Sequence, residues 1–231
     1  ESTEDALRSS CDLRDRFHHR GRLQYAFAPR FVPSCTENLL RDTLTEARSH
    51  GCLIHTHASE NTDEIELVAS MTGQSNIEYL HSIGMTGRDV VLAHCIHVTD
   101  PEVRLLADTQ TAIVHCPGSN LKLASGIAPV PRYIEHHCRI GLGADGAPCN
   151  NRLDAFAEMR TASLIQKPQH GANAFKAVQI LDVAMRGGAD ILGHRGGDLL
   201  TGRAADIVAI NPTMPHSLGG SPAGAVVYAM T

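Results

Sequence analysis

The sequence has no apolar run approaching the ~18–20 residues that cross a bilayer as a helix, which excludes a protein with membrane-spanning helices. It has no cluster of Lys or Arg, and its net charge is −5 with His neutral, so it offers no basic surface to a phosphate backbone and nucleic acid is excluded as a partner. It has no Cys-x-x-Cys pair. Its seven cysteines, Cys11, Cys35, Cys52, Cys95, Cys116, Cys138 and Cys149, are odd in number, widely spaced and mostly set in apolar runs, a pattern that reads as buried thiols in a reducing cytoplasm. Low-complexity segments and short repeats are absent. There is no signal-peptide pattern, and the chain begins at Glu1 rather than Met, which reads as a cut in a longer protein.

What is present is a soluble α/β texture. A hydrophobic fraction of 42% and a charged fraction of 19% are those of a globular protein, and 231 residues suffice for one large domain or two small ones. Short apolar, β-prone runs stand at Leu23–Ala28, Cys52–Thr56, Val90–Cys95, Ala112–His115 and Ile140–Gly143, and most precede an amphipathic helical stretch. Capping boxes at Ser34 with Glu37, Asn61 with Glu64, and Thr99 with Glu102 predict helices starting just beyond strand ends, as in a parallel sheet with crossover helices. Helical periodicity marks Arg152–Gln166 and a second helix from Phe175 to Arg186. After Gly202, two apolar runs, Ile207–Ile210 and Ala225–Ala229, flank a Pro- and Gly-rich stretch and predict β-structure packed on the main domain.

The chemistry-bearing residues stand where those strands end. His55-Thr-His57-Ala-Ser-Glu60 closes the second strand, His94-Cys-Ile-His97 the third, His115-Cys-Pro the fourth and Ala144-Asp145-Gly146 the fifth. A rim of parallel strand ends is where a barrel enzyme collects catalytic groups, because strand ends are rigid while the loops beyond them vary. Each element alone is a weak signal, since a lone strand-end His is more often structural; their order and spacing together are much harder to reach by accident. Imidazoles and a carboxylate suit a borderline divalent ion such as zinc, with iron as the alternative. Cys95 and Cys116 each follow a strand-end His, so alternation turns them to the opposite side and disfavours thiolate ligation. His55 and His57 lie two apart and can face the same way; periodicity does not decide between one ligand and two.

The stretch Val91-Leu-Ala-His94-Cys, through His115-Cys-Pro-Gly-Ser-Asn120-Leu-Lys-Leu-Ala-Ser-Gly-Ile-Ala-Pro, to Leu142-Gly-Ala-Asp145-Gly-Ala-Pro-Cys-Asn-Asn-Arg-Leu-Asp-Ala-Phe-Ala-Glu-Met-Arg160 resembles the aminohydrolase and chlorohydrolase branch of the amidohydrolase superfamily. That branch includes deaminases of methylthioadenosine, adenosylhomocysteine and 5′-deoxyadenosine, guanine deaminase and the triazine chlorohydrolases. The likeness runs from about Gly21 to Gly202-Arg-Ala-Ala-Asp206-Ile-Val and covers nearly the whole chain. It implies an α/β fold: a partial (β/α)8 TIM-like barrel, approximately strands 4–8, over residues 1–203, and the beginning of a C-terminal β-sandwich segment over residues 204–231.

The resemblance also implies roles. His57 and Asp145 are metal ligands; Glu60 shuttles protons to the leaving nitrogen; His94 orients water or substrate; Asp145 takes the proton of a water whose pKa a metal lowers from 15.7 to about 7. Glu60 and His94 then also contact the substrate, and Arg30, in Ala28-Pro29-Arg30-Phe31, joins them. The guanine deaminases have a similar Pro-Arg-Phe, whereas Asn150-Asn151-Arg152-Leu153 leans toward the adenosine-type group. The reaction implied is hydrolytic deamination of a purine-type ring, foremost a 5′-modified adenosine, with guanine deaminase second and a triazine aminohydrolase third. The partner is a small purine or N-heterocycle, and a homo-oligomer is compatible with the reading.

One departure stands out: the family's first-strand His-x-His and preceding β-sandwich segment are missing, so two of four expected protein ligands are present and the chain reads as a fragment. A non-catalytic barrel fragment serving as a scaffold is the alternative from another class. The zinc cytidine-deaminase type is set aside because its His-x-Glu and Pro-Cys-x-x-Cys signature is nowhere in the chain. Blander readings attach to the other candidates. His97 is a helix-start or packing residue, His115 a pocket liner or a support for a ligand, and His136 and His137 solvent-facing cations at a helix end. Ser119 and Asn120 bond the backbone after the fourth strand, and Glu158 and Arg160 are surface or loop anchors.

Overall fold

Buried Ile54, Thr56 and Ala58 alternate with Leu53, His55 and His57 along Leu53–Ala58, the strand around which the first half of the molecule is organised. In this computed structural model, which describes residues 2–211 and 220–230, the chain divides into two compact units, Glu1–Ile113 and Val114–Thr231. Among the described residues the fold is α/β, with five strands in one sheet whose order follows the chain. This is consistent with part of a (β/α)8 barrel.

In the first unit, β1 (Ala26–Phe27), β2 (Leu53–Ala58) and β3 (Val90–His94) pair in parallel, with Phe27 opposite Ile54 and His57 opposite Ala93. The connecting helices are α1 (Thr3–Phe17), α2 (Glu37–Ser49), α3 (Thr62–Thr72), α4 (Asn76–Ser82) and α5 (Asp100–Asp108). Ile54, Thr56 and Ala58 point into the core, where Phe27, Leu40, Ile77, Leu80 and Leu92 are also buried, while Leu53, His55 and His57 face the other way. Arg14 fastens α1 to α2: its buried guanidinium meets Glu46 at 2.7 Å.

The second unit begins within β4 (Ala112–His115) and holds β5 (Arg139–Leu142). Its helices are α6 (Pro117–Lys122), α7 (Val130–Glu135), α8 (Ala147–Asn150), α9 (Ala155–His170), α10 (Ala177–Asp182), α11 (Gly188–Ile191) and α12 (Pro222–Ala229), with a π-helical stretch, Val183–Gly187, between α10 and α11. Gly143 donates to the His115 carbonyl at 2.9 Å, and Tyr133, Val130 and Ile180 are buried. Gly187 crosses β5 so closely that a Cβ there would strike the Ile140 carbonyl, which explains the glycine.

Three expectations are corrected. The cap of α2 is Thr36, whose hydroxyl accepts from Leu39 N–H at 3.1 Å; Ser34 lies in a short 3-10 turn, Val32–Ser34, formed because Pro33 presets its dihedral. Ala225–Ala229 is helical rather than a strand, because Ser221 caps the helix and Pro222 starts it. Ile207–Ile210 is exposed and has no strand partner, so the expected C-terminal β-structure is not formed by the described residues. Most of the Pro- and Gly-rich stretch between these runs lies outside the described residues.

Candidate functional site

The exits of β2 and β3 are tied together by backbone. Cys95 N–H donates to the Ala58 carbonyl at 3.0 Å, and the Ser59 carbonyl accepts from Ile96 at 2.9 Å and from His97 at 3.1 Å. Three residues here, Ser59, His94 and Cys95, have left-handed backbones, with φ of 53°, 72° and 45°. Each such residue costs on the order of 1–3 kcal/mol and persists only where surrounding contacts over-determine it. Strand alternation would set His94 on the face of Ala58, its partner in register; the left-handed turn ends that alternation. The His94 ring stands stacked 5.3 Å from that of His57, and His94 Nε2 lies 3.8 Å from Glu60 Oε2. His57, Glu60 and His94, predicted from the sequence, are thereby brought together within the first unit. His94 is 1% exposed, so its imidazole is held in a dry setting against a carboxylate.

His57 is the residue whose chemistry is most fully specified. Its Nδ1 is 2.6 Å from the Arg30 carbonyl. A carbonyl only accepts, so Nδ1 carries the proton and the neutral ring keeps its lone pair on Nε2, the arrangement of a metal-ligating histidine. The Arg30 carbonyl also accepts the His57 N–H at 3.1 Å and the Thr56 hydroxyl at 3.1 Å. Arg30 thus serves His57 through its backbone, a role any residue could fill and which no side-chain motif reveals. Its exposed guanidinium lies 5.5 Å from the Phe31 ring. His55, on the same face of β2, stacks 6.2 Å from His57, as the two-residue spacing allows.

In the second unit Asp145 follows β5 with a left-handed backbone, φ 62°. Its Oδ2 accepts from the Ser119 hydroxyl at 2.5 Å and its Oδ1 from Gly146 N–H at 2.5 Å. Ser119 is fully buried and touches the predicted site residue itself, a contact the sequence reading had not assigned to it. Glu158 is buried and acts as a loop anchor, the second of the two roles expected for it. Its Oε2 accepts from Gly118 N–H at 2.9 Å and its Oε1 from Asn150 Nδ2 at 2.7 Å, and Asn150 also donates to the Ala144 carbonyl at 2.8 Å. Arg160 bonds the Tyr228 carbonyl at 2.9 Å, an anchor as expected. His115 is buried at the end of β4, and His97 is half-buried just beyond β3.

Among the described residues no three His, Cys, Asp or Glu side chains converge on one point as a metal-holding group. The donor chemistry of His57 nevertheless fits such an ion, because its free Nε2 is fixed by the bond that Nδ1 makes. All seven cysteines are free thiols; Cys52, Cys95 and Cys116 are buried, the other four half-buried.

The model of the amidohydrolase family matches residues 2–230. The chain is 38% identical over 216 residues to a 5-methylthioadenosine/S-adenosylhomocysteine deaminase of Desulfitobacterium hafniense, covering 92% of this chain and 50% of that protein. It is 39% identical over 196 residues to a 5′-deoxyadenosine deaminase of Methanothermobacter thermautotrophicus, covering 84% and 46%. It is also similar to the crystal structure of an adenosine deaminase from Xanthomonas campestris with bound zinc, with a TM-score of 0.92, 27% identity, and 96% of this chain and 52% of that one covered. The chain therefore spans about half the length of the relatives it matches. With the family's model matched over nearly every residue and the strand-end histidines and carboxylates at the positions just described, this chain belongs to the amidohydrolase family.

Proposed function

We propose that the full-length protein encoded around this sequence is a metal-dependent hydrolytic deaminase of a purine-type ring, its substrate a 5′-modified adenosine such as 5′-deoxyadenosine, methylthioadenosine or adenosylhomocysteine. Residues 1–203 contribute part of its barrel. The observation that carries the reading is the fixed tautomer of His57 beside the Glu60–His94 pair, one metal-competent nitrogen next to one acid–base pair. The names of relatives at 38–39% identity and the zinc in the adenosine deaminase of similar fold support it.

In this reading His57 and Asp145 hold one divalent ion, zinc before iron, whose contribution when bound is to acidify water at neutral pH. Asp145 accepts the proton of the attacking water. Glu60 delivers a proton to the exocyclic nitrogen, so that the C–N bond breaks, a C–O bond forms at the same carbon, and ammonia leaves. His94, stacked on His57 and 3.8 Å from Glu60, holds the substrate edge in register with that acid. Arg30 offers only donors and serves a ring-nitrogen or oxygen acceptor. The Pro29-Arg30-Phe31 segment favours one second reading, guanine deamination.

The test is ammonia release by the full-length protein from guanine, adenosine, 5′-deoxyadenosine, methylthioadenosine and adenosylhomocysteine. The highest kcat/KM is expected for a 5′-modified adenosine. A preference for guanine selects the second reading, and no release from any of them at full metal content excludes both purine readings and leaves a triazine aminohydrolase or a non-catalytic scaffold.

A further inference from the structure

We propose that Glu64 is a positioning residue for Glu60, clamping the backbone of the β2 exit together with Asn76; this rests on the deaminase reading above. Glu64 is 5% exposed and Asn76 fully buried. One carboxylate oxygen of Glu64 accepts the Glu60 N–H at 2.8 Å, and the other accepts from Asn76 Nδ2. The Glu64 N–H is donated to Asn61 Oδ1 at 2.9 Å, so the start of α3 has its cap without help from the Glu64 side chain. In a capping box that side chain would reach back to the N–H of Asn61 itself. Here it reaches one residue further, to the candidate acid.

Both partners of the carboxylate are neutral N–H donors. A buried carboxylate is costly unless its oxygens are satisfied, and a charged acceptor makes a shorter, stronger bond than a neutral one. Glu60 is consequently held from both sides. The Ser59 carbonyl before it is bonded by Ile96 and His97 from the β3 exit, and its own N–H is bonded by Glu64. With Cα fixed, the Glu60 carboxylate is kept 3.8 Å from His94. A misplacement of about 1 Å in such a group can cost on the order of a hundredfold in rate.

The experiment compares wild type, Glu64→Gln, Asn76→Ala, Glu60→Gln and the double variant Glu60→Gln/Glu64→Gln in the full-length protein. The readouts are kcat and KM with the best substrate, bound metal, and hydrogen exchange at the Glu60 amide. Glu64→Gln is expected to lower kcat about 10–100-fold with KM and metal content near wild type, and to speed exchange at Glu60. In the Glu60→Gln background the same change is expected to cost less than about twofold, since it acts through a group already removed. Equal losses in both backgrounds, or an unchanged kcat in folded Glu64→Gln, overturn the proposal. Should Glu64→Gln not fold, Asn76→Ala carries the test: about a 3–10-fold loss in kcat at constant KM supports the clamp, and no loss overturns it. If wild type releases no ammonia, the deaminase reading fails by itself. The exchange arm still decides the clamp, because a rapidly exchanging Glu60 amide in wild type sinks it whatever the activity.

Discussion

The exits of β2 and β5 solve one problem in two ways. Each presents a carboxylate beside a left-handed backbone residue, Glu60 after Ser59 in one case and Asp145 itself in the other. Each is braced by a buried glutamate paired with an asparagine amide, Glu64 with Asn76 and Glu158 with Asn150. The difference lies in reach along the chain. Glu64 grips a residue four positions away, so the Glu60 N–H is fixed by its own helix start, while the Ser59 carbonyl before it is held by the β3 exit. Glu158 grips Gly118, forty positions away, and Asp145 is held by Ser119, twenty-six positions away, so the β5 exit takes its form only when α6 and α9 have packed beside it. The glutamate's grip is local at the β2 exit and tertiary at the β5 exit.

The largest expected effect tests the carboxylates directly in the full-length enzyme. Asp145→Asn should lower kcat/KM about a thousandfold or more and deplete bound metal, because the proposed mechanism asks one group both to ligate and to take a proton. Glu60→Gln should cost about 10²–10⁴ in kcat with metal content near normal, as for loss of an acid–base group alone. Metal analysis of the two purified variants separates these outcomes, and metal loss in Glu60→Gln makes Glu60 a ligand.

Arg30→Ala comes next, with about a ten- to hundredfold fall in kcat/KM for the true purine and little change for a poor substrate, measured as ammonia release across the panel. The His57 tautomer should survive this change, because the Arg30 backbone carbonyl that fixes it remains.

The tertiary brace is probed by Gly118→Ala. A Cβ at Gly118 would overlap the Glu158 carboxylate and lie 2.7 Å from Asn150 Nδ2. The expected cost is about 1–3 kcal/mol of stability, read as a lower midpoint in urea unfolding. A neutral result would show that the Glu158 brace yields easily and would weaken the contrast between the two exits. A smaller effect concerns Cys138, whose thiol burial pushes up to about 11. Because the folded state then holds its proton where the unfolded thiol has lost it, stability should fall as pH rises from 9 toward 11, and thiol alkylation of the native protein should stay slow at pH 8.

Much of the first unit was legible in the sequence. The β2 and β3 runs end within two residues of where they were expected, Thr99 and Glu102 form their expected capping box, Asn61 caps its helix without the reciprocal bond expected from Glu64, and His57, Glu60 and His94 gather at one place. Ser34 misled because a serine three before a glutamate also occurs in a 3-10 turn; only the path of the chain through Pro33 hands the cap to Thr36. The capping box of Ser75 with Glu78 is a further helix start written locally in the sequence. Of the two readings of Glu158, surface or loop anchor, the structure keeps the loop anchor, and its burial was not legible because helical periodicity says which residues share a face, not which faces another element will cover.

The sequence by itself determined the local order of the site: β-prone runs that end in His or Asp, followed by small polar residues that start helices. Those features are fixed by neighbours within four positions, where periodicity and capping act. Only the tertiary structure decided that Ser119 holds Asp145, that the Arg30 carbonyl fixes the proton on His57, and that His94 leaves the alternation of its strand. A backbone carbonyl has no letter in the sequence, and a left-handed residue other than glycine is chosen by the contacts that repay its strain rather than by its own propensity.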